Sequence, residues 1–505
     1  MPLDVLKTAD TGVCDRFAAR QGVAGFVLMQ AAGEAVAAAI LARWATRPVL
    51  VLCGPGKNGG DGYVCACALQ RAGWPVRIAS LGDPAALEGD AARARALWHG
   101  PVEPLSADGS ANAELIVDAL FGAGLNRPME GVAAELAGQL AERAIPVVAI
   151  DLPSGIAGDR ACALGAAFRA DLTVSFHRPK PAHCLEPAAA ACGEVVITDI
   201  GIPDGWQALT APVARLNDPE LWIDALPRLA ASTHKHRRGH LVVFSGGAAS
   251  TGAARLSALT GLRAGAGLVT LASPPSALLV NAAAATAVMV HRWEREGDTA
   301  ALLGELRASA CVIGPAAGIG EATRRAVLAC LSHEGPVVLD ADALTSFKAD
   351  PEALFASLRA SDVLTPHIGE FERLFPGLLA AASNKLEAVN RAAERAGCVV
   401  LLKGPDTIIA SGGHTSVINR HASPVLATAG SGDVLAGLIG GLLAQGVAAL
   451  DAACAGAWMH GDAGLRLGQG VIAEDLPGAV PAVLQALSAR AARAAARARL
   501  DAVSR

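Results

Sequence analysis

The strongest chemical signal in the sequence is a loop of small residues that ends in a carboxylate. Thr428-Ala429-Gly430-Ser431-Gly432-Asp433 comes directly before an apolar stretch of helical period at 434–443. Small residues place consecutive backbone N–H groups at a helix N-terminus, where they can stabilise charge on a transferring phosphoryl group. Asp433 could accept a proton from an attacking hydroxyl, although an Asp in this position can also simply cap its own helix. We favour a catalytic role and predict phosphoryl transfer with Asp433 as general base.

A second glycine-rich segment lies near the amino terminus. Gly54-Pro55-Gly56-Lys57-Asn58-Gly59-Gly60-Asp61-Gly62 follows the apolar run 49–53, and we expect a helix to begin after Asp61. At the carboxyl end of a buried parallel strand, glycines let backbone N–H groups approach a phosphate. The spacing fits neither GxxxxGK[ST] nor GxGxxG, so neither standard nucleotide fingerprint is present. We predict an anion-binding loop, with a plain tight turn as the alternative.

Two further predicted strands end in carboxylates. Asp118 closes the run 115–118, and Asp151 closes the run 146–151. Either residue alone could be only the N-cap of the following helix. Together with Asn58 and Ser154, however, they would bring hard oxygen ligands to one sheet edge. These oxygens predict a cation site near a bound phosphate.

The carboxyl-terminal half adds a lysine and a histidine at strand ends. Lys403-Gly404-Pro405-Asp406-Thr407 follows the apolar run 399–402, and the whole chain has only seven lysines. A lysine snorkelling from a strand end is the alternative to a functional role. Thr365-Pro366-His367-Ile368-Gly369-Glu370 follows another strand. His367 and Glu370 could face a shared pocket, or could be a structural histidine and a capping glutamate.

The elements that position these residues follow a repeated pattern. Apolar runs of strand length alternate with Ala-rich stretches of helical period, which is typical of βαβ units and a buried, mostly parallel sheet. The series occurs twice, and the proline-containing segment between them lacks a long periodic run. The sequence therefore predicts two α/β domains, a linker and an Ala/Arg-rich tail without assigned function. The expected ranges are 1–212, 213–230, 231–488 and 489–505.

Composition excludes several classes of function. The formal net charge is -5, the pI is about 6.2 and only 4% of residues are aromatic, which disfavours nucleic-acid and anionic-membrane binding. Eleven Cys without a CxxC pair predict neither a disulfide framework nor a zinc ribbon. The sequence starts without an export signal, and the uncharged stretches 268–290 and 434–450 are interrupted by Pro or Gly. We expect a cytoplasmic protein with no membrane span.

The segments 54–62, 117–125 and 151–155 resemble the three motifs of the NAD(P)HX epimerase family, also known as YjeF-N, over about the first 210 residues. The resemblance implies a Rossmann-like three-layer α/β/α domain, with potassium bound by Asn58, Asp118 and Ser154 and with Asp151 as a catalytic residue. Lys57 stands where family members usually have Asn. The resemblance implies that the hydrated nucleotide is held by Lys57, Asn58, Gly59, Gly60, Asp61, Gly122, Ala123, Gly124, Leu125, Asn126, Arg127, Pro128 and Asp151.

The chain from about residue 230 to 485 resembles the ADP-dependent NAD(P)HX dehydratase family, which has a ribokinase-like fold. The matching segments are 234–236, 252–255, 265–269, 339–342, 365–370, 403–407 and 430–433. The resemblance implies that ADP contacts Lys403, Gly404, Pro405, Asp406, Thr407 and Gly432. It implies that the hydrate contacts Ala253, Gly318, His367 and Asp433.

Related small-molecule kinases have Asn-x-x-Glu where this chain has 367–370, which implies that Glu370 orders magnesium and its waters. The segment 384–387 also fits that pattern, but it lies inside a predicted helix and we assign it no role. Two positions depart from the family: Ala316 replaces a glycine, and Ile368 replaces a common proline. Neither departure removes a charge or a nucleophile.

The resemblance implies repair of hydrated nicotinamide cofactors. The first domain would interconvert the R and S epimers of NADHX and NADPHX, and the second would dehydrate the S epimer with ADP and magnesium. We also expect a homo-oligomer. Two alternatives stay open at this stage, namely a vitamin or sugar kinase fused to a nucleotide-binding domain and a non-catalytic nucleotide sensor. A kinase would leave a stable phosphorylated product, and a sensor would not turn over.

Overall fold

The structure is a computed structural model that describes residues 2–230, 232–294 and 299–503. The chain divides into two compact units, Met1–Arg215 and Leu216–Arg505. Residues 1, 231, 295–298, 504 and 505, which fall within the domain and tail ranges expected from the sequence, lie outside the described residues. Each unit has its own sheet and its own hydrophobic core.

The first unit is built on a parallel sheet. In the part of the chain described, the sheet contains seven strands in the order β10-β9-β6-β5-β2-β3-β4, and the short β1 and β11 pair antiparallel with each other. The strands of this unit are β1 Asp4–Val5, β2 Val49–Cys53, β3 Val76–Ser80, β4 Val102–Pro104, β5 Leu115–Ala119, β6 Val147–Ile150, β7 Ile156–Ala157, β8 Cys162–Ala163, β9 Leu172–Phe176, β10 Glu194–Thr198 and β11 Ala214–Leu216.

Helices cover both faces of this sheet. Side chains alternate along β2, so Val49 and Val51 face the core formed with α2 and α3, whereas Leu50 and Leu52 face the core formed with α5. This is a three-layer α/β/α arrangement, and all five residues of β2 are buried. The helices of this unit are α1 Thr8–Arg20, α2 Gly25–Leu41, α3 Lys57–Arg71, α4 Gly89–Ala96, α5 Val132–Ala141, α6 Pro181–Cys184 and α7 Ala188–Cys192.

The second unit has a larger sheet with an antiparallel edge. Its strand order is β20-β19-β18-β17-β16-β15-β12-β13-β14, and only the β18–β19 and β19–β20 pairs are antiparallel in the described residues. The strands are β12 His240–Phe244, β13 Leu268–Ser273, β14 Met289–Arg292, β15 Ala310–Ile313, β16 Val337–Leu339, β17 Val363–Leu364, β18 Val399–Leu402, β19 Thr407–Ala410 and β20 Ser416–Asn419.

The core of the second unit lies between this sheet and the helices that follow the small-residue loop 428–433. Leu241 and Val243 of β12 pack in one cluster with Leu438 and Leu442. The helices are α8 Gly252–Arg263, α9 Leu278–Ala284, α10 Thr299–Glu305, α11 Glu321–Leu331, α12 Asp342–Thr345, α13 Pro351–Phe355, α14 Ile368–Leu374, α15 Leu378–Ala381, α16 Lys385–Ala396, α17 Ser431–Ala444, α18 Ala449–Leu467 and α19 Leu476–Val503.

The predicted fold class, two α/β domains with mostly parallel sheets, is confirmed. The expected linker 213–230 is folded, however. Trp222 is 2% exposed in the core of the second unit, and its indole N–H donates to the Asn217 side chain at 2.9 Å. Prolines interrupt regular periodicity in this segment, but they do not prevent it from packing. The Ala/Arg-rich tail continues α19 to Val503.

The stretches 268–290 and 434–450 are apolar and contain no charged residue, as a membrane span would. Within the described residues, none of the helices combines the length and the apolar character needed to cross a bilayer. The two stretches instead supply β13, α9 and α17, and all of α17 except its first-turn Gly432 and Asp433 is buried.

Candidate active sites

The glycine-rich segment of the first unit is mostly helix rather than loop. α3 begins at Lys57, so residues 57–62 form its first turns, whereas the sequence predicted that the helix begins after Asp61. The glycines are needed because the helix packs very close to its surroundings. A Cβ added to Gly59 would lie 2.0 Å from the Gly54 carbonyl oxygen, and one added to Gly62 would lie 2.6 Å from the Ala119 Cβ. The N-terminus of α3 is thereby held against the ends of β2 and β5.

A cavity of about 600 Å³ opens at this edge of the first sheet. Among the predicted substrate residues, Gly59, Gly60 and Pro128 do not line it, and the first two are buried beneath it. The predicted residues that line it are Lys57, Asn58, Asp61, Gly122, Ala123, Gly124, Leu125, Asn126, Arg127 and Asp151.

Asp151 is the most constrained side chain at this cavity. One carboxylate oxygen, Oδ1, accepts from the Lys180 ammonium at 2.7 Å and from the Ser175 hydroxyl at 2.9 Å. The other, Oδ2, accepts from the backbone N–H of Ala123 at 2.9 Å. Burial alone would raise the pKa of Asp151, but Lys180 outweighs it and, with the Ala123 N–H, holds this pKa below its usual range. Asp151 is therefore ionised at neutral pH.

Two other carboxyl groups at the same cavity are perturbed in the opposite direction. Burial, reinforced by Asp151 and Asp15, raises the pKa of Asp61 well above its usual value. Burial also raises the pKa of Asp15, against the opposing charges of Lys57 and Lys180. One cavity thus contains carboxyl groups whose pKa values are shifted in opposite directions, an arrangement found at sites of acid–base catalysis.

Two of the three predicted cation ligands, Asp118 and Ser154, lie deeper, whereas Asn58 lines the cavity. Asp118 and Ser154 are fully buried, and the Ser154 hydroxyl and backbone N–H donate to the Asp118 carboxylate at 2.6 and 2.7 Å. Burial raises the pKa of Asp118 to about 6, despite these hydrogen bonds. The Asn58 amide nitrogen is buried and has no hydrogen-bond partner among the described residues. The Asp118 carboxylate also accepts from the Leu120 backbone N–H at 3.2 Å, so the hydrogen bonds that it accepts among the described residues come from uncharged donors.

The small-residue loop 428–433, for which the sequence predicts phosphoryl transfer, leads into the start of α17. Gly430 precedes the helix with φ +85°, a left-handed conformation that favours glycine, and Ser431 and Asp433 lie in the first turn. α17 packs almost backbone to backbone on α8, because a Cβ added to Gly437 would lie 2.3 Å from the Ser257 carbonyl oxygen. The Ser257 hydroxyl also donates to the Asp433 carbonyl at 2.8 Å. These contacts fix the helix end that carries Asp433.

Lys403 and Asp340 form an ion pair beside this helix start. The Lys403 ammonium is 2.7 Å from Asp340 Oδ1, which also accepts from the Thr365 hydroxyl at 2.9 Å. A Cβ added to Gly432 would lie 3.4 Å from the Lys403 ammonium, so the loop and the lysine are neighbours. Burial would lower the pKa of Lys403, but Asp340, Glu370 and Asp433 outweigh it and raise this pKa. A positive charge is thus held where phosphoryl groups would meet the N-terminus of α17.

The electrostatics of Asp433 suit a general base. Burial, together with the neighbouring Asp340 carboxylate, raises the pKa of Asp433 to about 6, against the lowering effect of Lys403. A base with this pKa is mostly ionised at neutral pH and still basic enough to take a proton from a hydroxyl. Ser431 contacts His460 at 3.0 Å, and burial lowers the pKa of that histidine to about 4. His460 is consequently neutral beside the loop.

His367 and Glu370 form a reciprocal cap at the start of α14. The His367 Nδ1 accepts from the Gly369 and Glu370 backbone N–H groups, and Glu370 accepts from the His367 N–H at 2.9 Å. The His367 backbone pairs with Lys403 in an isolated bridge, which places it next to the Lys403–Asp340 pair. Asn384 is the N-cap of α16 and accepts from the Glu387 N–H at 3.0 Å, so it lies just before the helix and not inside it as predicted.

The other predicted nucleotide and hydrate residues belong to three separate segments of the second unit: the loop 404–407, Ala253 and Gly318. Asp406 is 1% exposed and forms an ion pair with Lys385, and Thr407 exchanges hydrogen bonds with Gly404, so this loop is braced internally. The Ala253 carbonyl accepts from the same Ser257 hydroxyl that contacts Asp433. Gly318 donates its N–H to Asp342 at 2.8 Å and lines a separate cavity of about 570 Å³.

Several residues at these sites were not assigned roles from the sequence. Lys180, Ser175, His183 and Asp15 belong to the first site, and Asp340 and His460 belong to the second. Lys180 could have been found from the scarcity of lysine, since it is one of only seven in the chain. The others lie outside the glycine-rich motifs and have no sequence signal that separates them from structural residues.

One α/β unit has a cavity beside a glycine-rich helix start, and the other has Asp433 and Lys403 at a helix N-terminus. This combination is typical of a two-domain enzyme that acts on phosphorylated small molecules. Comparison with known proteins makes this class specific. Residues 25–182 match the family model described as YjeF-related protein N-terminus, and residues 241–481 match the model described as NAD(P)H-hydrate dehydratase. The chain belongs to the family of bifunctional NAD(P)H-hydrate repair enzymes, as the sequence resemblance predicted.

Relatives match over nearly the whole chain. The bifunctional NAD(P)H-hydrate repair enzyme Nnr of Coxiella burnetii is 33% identical, covering 92% of this chain and 95% of its own length. The enzyme of the same name from Moorella thermoacetica is 34% identical, covering 96% and 97%. Among solved structures, the ADP/ATP-dependent NAD(P)H-hydrate dehydratase of Bacillus subtilis, co-crystallised with ATP/Mg²⁺, is 26% identical with a TM-score of 0.47 over 54% of this chain and 98% of that one.

Proposed function

We propose that the chain repairs hydrated NADH and NADPH in two steps. The unit that contains 1–212 interconverts the R and S epimers of the hydrate, and the unit that contains 231–488 dehydrates the S epimer at the expense of ADP. The observation that supports this most directly is the juxtaposition of Asp433, the N-terminus of α17 and the Lys403–Asp340 pair. That geometry suits transfer of a phosphoryl group to a hydroxyl.

Dehydration follows from that transfer. Asp433 takes the proton of the ring hydroxyl of the hydrate, whose oxygen then attacks the β-phosphorus of ADP and releases AMP. Phosphate leaves from the phosphorylated ring carbon with the electron pair of the C–O bond, and loss of a ring proton restores the dihydropyridine. Hydroxide is a poor leaving group near neutral pH, so phosphorylation makes the elimination feasible. Lys403 and the N–H groups at the start of α17 stabilise charge on the transferring group.

The expected nucleotide contacts are consistent with this chemistry. Lys403 and Gly432 lie beside each other at the helix end, and the braced 404–407 loop continues from Lys403. Magnesium would be held through Glu370, one of whose carboxylate oxygens caps α14 while the other keeps acceptor capacity. The ion supplies positive charge to the phosphates. The hydrate would contact Ala253, Gly318, His367 and Asp433.

Epimerisation requires that a hydroxyl leaves the ring carbon and that water returns on the other face. Asp151 and Asp61 both line the cavity, and Asp151 Oδ2 accepts from the Ala123 N–H. Asp151 would accept the proton of the incoming water, and Asp61, whose pKa is raised by burial, would donate a proton to the leaving hydroxyl. The amide-rich loop 122–127 and the start of α3 would hold the nucleotide.

A potassium site at Asn58, Asp118 and Ser154 is part of the proposal. Asp118 is a fully buried carboxylate whose pKa is raised to about 6 by burial, and a nearby monovalent cation would offset that cost. Neutral amide and hydroxyl oxygens beside one carboxylate fit a large, singly charged ion. The cation would neutralise the buried charge beneath the substrate loop.

The deciding experiment uses the full-length protein with a mixture of NADHX epimers, ADP and magnesium. We expect the dihydropyridine absorbance to return to completion for both epimers, with AMP and phosphate formed in equal amounts. A stable phosphorylated product would instead favour the fused-kinase alternative, and tight nucleotide binding without turnover would favour the sensor. Homo-oligomerisation and a cytoplasmic location stay predictions, and light scattering and cell fractionation test them.

A further inference from the structure

Lys180 lies at the first cavity but outside the motifs that identify the epimerase family. Its side chain is only 4% exposed, and its ammonium group lies 2.7 Å from Asp151 Oδ1 and 3.0 Å from the Ser175 hydroxyl. Lys180 also lines the cavity of about 600 Å³. A buried lysine is costly unless it is paired, so this position needs a specific reason.

The segment that carries Lys180 contacts Asp151 at a second point. His183 accepts the Lys180 backbone N–H at Nδ1 (2.9 Å), and its Nε2 lies 2.7 Å from the Asp151 carbonyl oxygen. Asp151 has φ +67°, a left-handed conformation that a non-glycine residue adopts only when its surroundings enforce it. One short segment, 180–183, therefore holds both the side chain and the backbone of Asp151.

The contacts leave one part of the carboxylate free for chemistry. Oδ1 accepts from Lys180 and Ser175, whereas the Ala123 N–H is the one donor to Oδ2 among the described residues. A carboxylate has about four acceptor sites, so Oδ2 keeps one. Oδ2 also borders Gly122, where an added Cβ would lie 2.9 Å from it, and Gly122 lines the cavity.

We propose that Lys180 is a positioning residue for epimerisation, which holds Asp151 Oδ1 so that Oδ2 meets the substrate in one fixed orientation. Ser175 supports the lysine, and His183 fixes the backbone of Asp151. This inference rests on the proposed epimerase function and adds a residue to it. Because Lys180 acts through Asp151, replacing Lys180 should lower kcat, which reports the chemical step, more than it changes KM.

The test uses the full-length protein with purified (R)-NADHX, and chromatography follows the formation of the S epimer. We expect Lys180→Met to lower kcat by about 10²-fold, the cost typical of a misplaced catalytic group, while KM stays within about threefold. Lys180→Arg keeps a cation in reach of Asp151 and should recover at least about tenfold of that loss. Ser175→Ala removes one of two Oδ1 donors and should lower kcat by roughly threefold to tenfold. Lys7→Met, at an exposed lysine of the same unit that does not line the cavity, is the matched control.

The possible results separate the inference from the function on which it rests. Wild-type protein that does not epimerise (R)-NADHX refutes the proposed function itself. Active wild type with Lys180→Met within threefold of its kcat refutes the role of Lys180, as does a loss that appears mainly in KM. If Lys180→Met does not fold, Lys180→Arg and Ser175→Ala carry the test, and wild-type kcat in Ser175→Ala then overturns the inference. Dehydration of (S)-NADHX with ADP reports whether each variant keeps its second unit intact.

Discussion

The role of Asp433 leads to a prediction with a magnitude and a pH dependence. Asp433→Asn keeps the size of the side chain, and the helix should be retained because Gly430 rather than Asp433 is the N-cap of α17. The amide cannot accept the hydroxyl proton. Loss of a general base typically costs ~10² to 10⁴ in rate. We therefore expect dehydration of (S)-NADHX to fall by at least about 10²-fold, while epimerisation is unchanged because Asp151 lies in the other unit.

The acid side of the pH profile follows from the pKa of about 6 that burial and Asp340 give Asp433. The base must be ionised to act, so activity falls as the pH falls through that pKa. About nine-tenths of the molecules have ionised Asp433 at pH 7 and about one-eleventh at pH 5, which predicts a roughly tenfold decrease in kcat/KM for dehydration. In Asp433→Asn this acid limb should be absent from the residual rate.

The assays are chromatography of separated epimers with ADP, and calorimetry of ADP binding. ADP affinity should be nearly unchanged, because Lys403 and the Gly432 N–H are still present. Asp451→Asn, which alters a partly exposed first-turn carboxylate of α18, is the matched control and should keep wild-type dehydration. Dehydration by Asp433→Asn within threefold of wild type would remove Asp433 from the mechanism. Loss of epimerisation in the same variant would show that the division of labour between the units is wrong.

Three further predictions test other parts of the molecule. Asp118→Ala should abolish the dependence of epimerisation on potassium, measured by potassium titration, and an unchanged titration curve would remove Asp118 from the cation site. ADP should support faster dehydration than ATP at matched magnesium, and equal or faster turnover with ATP would refute that preference. Ala316 has φ +54°, so Ala316→Gly should stabilise the second unit by about 1 kcal/mol in thermal or urea unfolding. Ala317→Gly, at a neighbouring position without positive φ, should instead destabilise it, and similar effects of the two changes would argue against backbone strain at Ala316.

The fold could be predicted from sequence because buried parallel strands are short, nearly continuous apolar runs. The run 49–53 forms β2, as predicted. The glycine-rich segments at the end of β2 and at the start of α17 predicted where the two candidate sites lie. The start of α3 was misjudged because glycines usually indicate a loop. In this unit they are required inside the helix, where Gly59 and Gly62 allow it to pack against backbone and Ala119.

Residues that act through tertiary contacts could not be predicted in the same way. Lys180 is 29 positions from Asp151 in the chain, and no local pattern connects the two. Asp340 belongs to a segment that the resemblance included, but its ion pair with Lys403 joins two strands 63 positions apart. Sequence motifs therefore predicted the groups that we propose meet substrate and phosphate, whereas the groups that contact them became visible only in three dimensions.

The glycine contacts between α8 and α17 have a consequence for binding energetics. Gly437 and Gly441 of α17 rest on the backbone of α8, and Gly440 lies against Val312 and Leu241 with no room for a methyl group. A helix seated this closely cannot slide or tilt when a phosphate arrives, so its N–H dipoles are preorganised and little reorganisation energy is needed during the reaction. Enlarging Gly437 should consequently weaken binding of charged phosphate analogues more than binding of uncharged adenosine. The rigid α8–α17 interface would therefore favour binding of charged phosphate ligands over binding of uncharged ones.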